Sequence, residues 1–139
     1  MIMLKISKSL CDRLAAILGG TGMSDGKSCS IMVERKLGAK ILGRNYETEH
    51  EIVIQSLKNG KTLNTGEITL LQSEVQRFVN AARRRKLKIT AIHNHWLFEK
   101  PRLIYLHLET VENPIVFARK LRSALDVLKK QLSVIALPE

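Results

Sequence analysis

The stretch Ile89–Glu109, ITAIHNHWLFEKPRLIYLHLE, decides the fold. Its two ends alternate or run apolar in the manner of strands, and Trp96 to Pro101 between them reads as a turn. The expectation is an antiparallel hairpin closed by a loop of about six residues. If it folds about Glu99, His93 faces Tyr105, His95 faces Leu103 and Ala91 faces His107. Side chains alternate along a strand, so His93, His95 and His107, three of the four histidines in the chain, share one face of the sheet. A slip of one residue would turn His93 and His95 away from His107.

Two imidazoles two residues apart on a strand stand about 7 Å apart at the backbone. Both can swing onto one ion at about 2.0–2.1 Å, and His107 on the adjoining strand can complete three ligands. Neutral imidazoles suit zinc, copper, nickel or iron, zinc or iron being the expected ions, and Glu67 or Glu34 can join or orient the set. Three protein ligands and a water make a catalytic geometry rather than a structural one. The competing interpretation is that the histidines are sheet residues bonded to backbone or to Tyr105. Asn94 points to the other face. At the hairpin mouth Lys100 and Arg102 can meet an anionic group, while Trp96, Leu97 and Phe98 make an apolar loop able to cover a ligand. The ligand-contacting set expected here is therefore Arg102, Lys100, Tyr105 and Trp96. His50, between Glu49 and Glu51, reads as part of a surface cluster. Glu34 and Arg35 alternate on a strand, so at least one of them is expected to reach the functional face.

Outward from the hairpin, helices alternate with strands. Ser7 or Ser9 can cap a first helix with Leu10, Leu14, Ile17 and Leu18 on one face, stopped by Gly19 and Gly20. Thr21 to Lys27 reads as a loop. Cys29 to Lys36 is a strand, with a partner expected over Ala39 to Gly43, and Arg44 to Glu49 is ambiguous. Glu51 to Leu57 and Thr62 to Ile68 flank Asn59–Gly60, a hairpin signal. Ser73 and Gln76 have capping-box spacing ahead of a helix with Val75, Phe78, Val79 and Ala82 inward. Asn113–Pro114 opens a last helix with Phe117, Leu121, Ala124, Leu125 and Leu128 in one stripe. Gln131 to Leu137 is expected as a short edge strand. Together these elements predict an α+β two-layer sandwich, a largely antiparallel sheet with helices on one face.

The 139 residues make a single domain, 1–139, and 45% hydrophobic residues are ordinary globular composition. No run of about 18 apolar residues is present to span a membrane, and the apolar stretch at the N-terminus is too short for a secretory signal. Cys11 and Cys29 fit neither a CxxC nor a metal spacing and read as buried thiols of a cytoplasmic protein. The sequence shows no glycine-rich phosphate loop, GxSxG elbow or HExxH.

The stretch TAIHNH, Pro101–Arg102 and the following His107 resemble the LppY/LpqO family of domains of unknown function. The likeness runs clearly over residues 66–125, from Gly66–Glu67 through Glu74 and Val75 to the last helix. It implies no established reaction. Family members are often exported lipoproteins, a feature this sequence does not show, and Gly66–Glu67 stands where the family usually has Gly-Asp.

Two functions follow from these residues. One is a metal-dependent hydrolase acting on an anionic small molecule; the other is a non-catalytic domain that binds nucleic acid or a protein partner, including a second copy of itself. Lys plus Arg total 23 against 13 acids, a net charge of +10. The densest run is Arg83, Arg84, Arg85, Lys86 and Lys88, yet aromatics for base stacking are only 4%. Weak, sequence-independent association with nucleic acid at low salt is expected. A surface making about five phosphate contacts would give a log K against log salt slope near −4.5. A titration at physiological salt should instead find binding largely gone; nanomolar affinity abolished by neutralising Arg83, Arg84 and Arg85 would contradict this.

Overall fold

The computed structural model describes the backbone of residues 3–136 and the side chains of residues 3–129. Helix α1 spans Lys8–Leu18, and strands β1 (Thr21–Ser24) and β2 (Ser28–Arg35) follow. Short strands β3 (Lys40–Ile41) and β4 (Arg44–Asn45) lead to β5 (Thr48–Ser56) and β6 (Thr62–Leu71). Helix α2 (Val75–Arg84) precedes β7 (Lys88–Asn94), β8 (Glu99–Lys100) and β9 (Leu103–Glu112), and α3 (Pro114–Ala136) is the last described element. Six strands form an antiparallel sheet in the order β1-β2-β5-β6-β9-β7, and β4-β3-β8 form a second, smaller one. The three helices lie on one face of the large sheet, the α+β sandwich that the sequence predicts.

Alternation along the strands makes the core. Ile52 and Ile54 on β5, Ile68 and Leu70 on β6, and Leu106 and Leu108 on β9 are buried beneath the helices. Phe78 of α2 and Phe117, Leu121 and Ala124 of α3 fill the other side of that layer with no exposure to solvent. Helix α3 packs against α1, α2, β6 and β9 and so closes the layer. Its start follows the sequence: the Asn113 Oδ1 accepts hydrogen bonds from the Ile115 and Val116 N–H groups, at 2.8 and 3.2 Å. Ser7 caps α1, its Oγ accepting from Leu10 N at 3.1 Å, and Gly19 is the C-cap.

Several expectations are corrected. Thr21–Ser24 is an edge strand on β2 rather than a loop. Gly22 permits this, since a Cβ there would stand 2.9 Å from the Cys11 Sγ, so α1 lies directly on the strand backbone. The segment after Gly38 does not pair with β2. Leu42 and Gly43 both take positive φ and fold β3 tightly onto β4. The start of α2 is secured by Glu74 rather than by a Ser73–Gln76 box, the Glu74 Oε1 accepting from Leu71 N at 2.7 Å. That carboxylate also takes two bonds from the Arg35 guanidinium, at 2.8 and 2.9 Å, which ties β2 to α2. The tail continues α3 to Ala136 instead of forming an edge strand, and Leu137 lies outside the described residues.

Cys11 and Cys29 are not thiols but a disulfide, with both residues fully buried between α1 and β2. Their spacing carries no motif; the packing of α1 across β2 brings them together. The cross-link closes a loop of 18 residues, which stabilises the fold by about 3 kcal/mol through the entropy of the unfolded chain. Replacing both cysteines by Ala should lower the unfolding free energy by about that amount in urea titration. Equal stability of the variant and the oxidised protein would show that the bridge contributes nothing.

Candidate functional site

The strands set the histidine register. His93 pairs with Tyr105 and Ala91 with His107, as the hairpin predicts, with a bulge at Thr90. On its other side β9 pairs with β6, placing His107 opposite Glu67, and β6 pairs with β5, placing Glu67 opposite Glu51. Neighbours of these residues in the chain, Ile52, Ile68, Leu106 and Leu108, point into the core, so Glu51, Glu67, His107 and His93 occupy the helix-free face.

There the side chains meet. His93 Nε2 is 3.1 Å from His107 Nε2, and His107 Nε2 is 3.4 Å from Glu67 Oε2. The other nitrogen of His93, Nδ1, is 3.0 Å from the carbonyl oxygen of Asn94. Because a carbonyl can only accept, Nδ1 carries the proton and Nε2 of neutral His93 presents its lone pair toward His107. The His107 and Glu67 side chains are about one-third exposed, at 36% and 35%, so solvent reaches the cluster. A shallow groove of about 240 Å³ beside it is lined by Glu51, Thr65, Glu67, Thr90, His107 and Glu109. Among the described residues no group of three or more His, Cys, Asp or Glu side chains already converges as a metal site.

His95 departs from the expected geometry. Strand β7 ends at Asn94, so His95 does not pair with Leu103. Its ring packs instead on Tyr105, with centroids 4.4 Å apart, and on Trp96, at 4.3 Å. Tyr105 is buried with Leu103 and Ala39 beneath the small sheet, and burial pushes its phenol pKa upward. The loop is not a simple turn either, because Glu99–Lys100 pairs with Lys40–Ile41. Glu99 turns inward and accepts from the Tyr46 hydroxyl at 2.7 Å and from Leu103 N at 3.0 Å. Lys100 and Arg102 line a separate opening with Leu42, Leu97 and Phe98, away from the His93–His107 contact. Glu34 is exposed on β2 and beside Lys36, two strands from Glu67, while Arg35 faces the helices. The sequence expectation missed Glu51. Measuring from the Asn59–Gly60 connection places it opposite Glu67, but its neighbours Glu49 and His50 made it look like surface.

The chain belongs to the family described as Domain of Unknown Function (DUF1259). That family's pattern matches residues 12–127, most of the fold and all of this cluster. No curated protein and no solved structure matches significantly.

His50 is also corrected, from surface cluster to buried residue. Its Nδ1 accepts the Thr69 N–H at 3.0 Å, so the ring is neutral with its proton on Nε2. Desolvation, reinforced by the Arg35 charge, lowers its pKa to about 3. Above pH about 6.5 the ring is neutral in both folded and unfolded chains and pH has no effect through it. As pH falls from there toward 3, only the unfolded chain takes the proton, and stability is lost at roughly 1.4 kcal/mol per unit. His50→Asn, whose amide oxygen can accept the Thr69 N–H, should flatten the stability profile between pH 7 and pH 5. Parallel profiles for the two proteins would show that His50 does not carry this dependence.

Proposed function

We propose that the helix-free face binds a divalent transition metal, zinc or iron, through His93 Nε2, His107 Nε2 and Glu67, and uses it for hydrolysis of an anionic small molecule. The carrying observation is the 3.1 Å approach of the two Nε2 atoms beside the Glu67 carboxylate. Two nitrogens bound tetrahedrally at about 2.0–2.1 Å stand about 3.3 Å apart, so the pair is already near ligand spacing. The Asn94 carbonyl on His93 Nδ1 is the outer contact that orients a metal-binding imidazole. Glu67 would complete three ligands by a rotation of its one-third-exposed side chain, and His95 would have to leave its contact with Tyr105 to join them.

Electrostatics supports the same assignment. Glu51 and Glu67 are directly opposite across two strands, as are Glu34 and Glu49, and like charges so placed are destabilising. A cation bound beside Glu67 relieves one of these pairs. Burial and the charges of Glu51, Glu47 and Glu34 raise the Glu49 pKa, another sign that this face accumulates negative potential. Three protein ligands leave an open position at which a metal lowers the pKa of bound water and so supplies a nucleophile. The net charge of +10 attracts anions to the molecule as a whole, and a bound metal would supply the positive charge that this acidic face lacks.

We also place the protein in an oxidising compartment rather than the cytoplasm, a reading supported by the buried Cys11–Cys29 disulfide. Among the described residues no helix is long and apolar enough to cross a membrane. The kinship with the LppY/LpqO family is part of this proposal and rests on the HNH, Pro101–Arg102 and His107 pattern.

The test is metal content of protein purified without a histidine tag and equilibrated with zinc. One equivalent is expected in the wild type. The His93→Ala, His107→Ala double variant should lose it while keeping the unfolding midpoint of the metal-free wild type, because both changes lie on the helix-free face. Glu67→Gln should weaken affinity by about 10–100-fold. Stoichiometric zinc in the double variant would remove the assignment.

A further inference from the structure

Two neighbouring turns carry large apolar side chains into solvent. Leu42 is 75% exposed, Leu97 74%, Phe98 62% and Trp96 47%. Single exposed apolar residues are ordinary, but these four belong to one protrusion. Strand β3 pairs with β8, and the Leu42 N–H donates to the Phe98 carbonyl at 3.4 Å. An open groove of about 530 Å³ lies between the turns and is lined by Leu42, Leu97, Phe98 and Glu99 together with Lys40, Lys100 and Arg102. Arg44, on β4, adds a fourth exposed cation. Glu99, the acid within these strands, is buried and bonded to Tyr46 and Leu103. The small sheet therefore carries exposed apolar side chains at its turns and four exposed cations on or beside its strands.

We propose that this protrusion docks on an anionic lipid bilayer. The tips Leu42, Leu97 and Phe98 enter the interface, and Lys40, Arg44, Lys100 and Arg102 meet headgroup phosphates. Charge complementarity selects the occupant: an apolar tip flanked by four exposed cations, with Glu99 buried, matches the boundary between acyl chains and anionic headgroups. The long cation stems can lie along the apolar tips while their charges reach the phosphates. Pairing of β3 with β8 fixes the two turns relative to one another, so little ordering is required on contact. This inference does not depend on a metal at His93 and His107.

Trp96 is the only tryptophan in the chain, adjoins Leu97 in the same loop and is half exposed, so its emission reports on contact made by this loop. The full chain is titrated with phosphatidylcholine vesicles with and without phosphatidylglycerol, following sedimentation and Trp96 emission. Binding with a blue shift is expected for the anionic vesicles and not for phosphatidylcholine alone. Removing a cation near the surface should weaken partitioning about fivefold, so Lys100→Gln with Arg102→Gln should weaken it roughly 25-fold. Leu97→Ser with Phe98→Ser should also weaken it and abolish the blue shift; both side chains are exposed, so the unfolding midpoint should stay unchanged. Arg83→Gln with Arg84→Gln, on α2, should change little. Absence of wild-type binding to anionic vesicles would overturn the proposal. So would binding that follows Arg83 and Arg84 instead of the protrusion, or a self-associated form that is dispersed by the Leu97 and Phe98 changes and ignores vesicles.

Discussion

The pairing of β6 with β9 is the constraint on which the rest of the structure depends. Ten consecutive residue pairs run from Thr62 opposite Glu112 to Leu71 opposite Leu103 at the centre of the large sheet. That single register turns Ile68, Leu70, Leu106 and Leu108 toward the helices and puts Glu67 against His107 on the other side. A shift by one residue would exchange the two faces, exposing the core and burying the charges. Core burial therefore fixes the chemistry of the opposite face. The backbone positions of Glu67 and His107 are set by the packing of their neighbours along β6 and β9.

The two faces of the sheet handle polarity differently. Beneath the helices, among the described residues, the buried polar side chains have partners: His50 accepts from Thr69, and Arg35 and Glu74 bond each other, with further bonds to the Thr69 carbonyl and from the Leu71 amide. These contacts knit β2, β5, β6 and α2 together. On the helix-free face, charges of one sign face each other across strands, and two imidazoles approach with their nitrogens converging. One hydrogen bond satisfies the two Nε2 atoms, and the facing carboxylates are pairs whose repulsion a cation would relieve. In a chain of net charge +10, an acidic strip on one face is a local departure that the global charge conceals.

Much of this was legible in the residues. The period-two alternation and the turn at Trp96–Pro101 were enough to set His93 against Tyr105 and Ala91 against His107. The apolar stripes located all three helices. What escaped depends on tertiary packing. Cys11 and Cys29 meet because one lies on the inner face of α1 and the other on the inner face of β2, which no spacing rule encodes. β1 is held by backbone pairing and by the close approach of α1 at Gly22, so its side chains show no strand pattern. The small sheet joins segments about 60 residues apart, and its two-residue strands are too short for periodicity. His50 was legible in principle, since Thr48, His50, Ile52 and Ile54 alternate inward, but the flanking glutamates masked the pattern. His95 failed the expected geometry because β7 stops one residue earlier than a regular hairpin would.

The central claim is that His93, His107 and Glu67 form one coordination sphere. X-ray absorption spectroscopy of the zinc-loaded protein tests it most directly, because the first shell reports ligand type and distance. Two imidazole nitrogens at about 2.0–2.1 Å with carboxylate or water oxygens at about 2.0–2.2 Å are predicted, and the imidazole scattering should disappear in the His93→Ala, His107→Ala variant. A zinc shell made only of oxygen, or an imidazole signal that survives in that variant, would contradict the account.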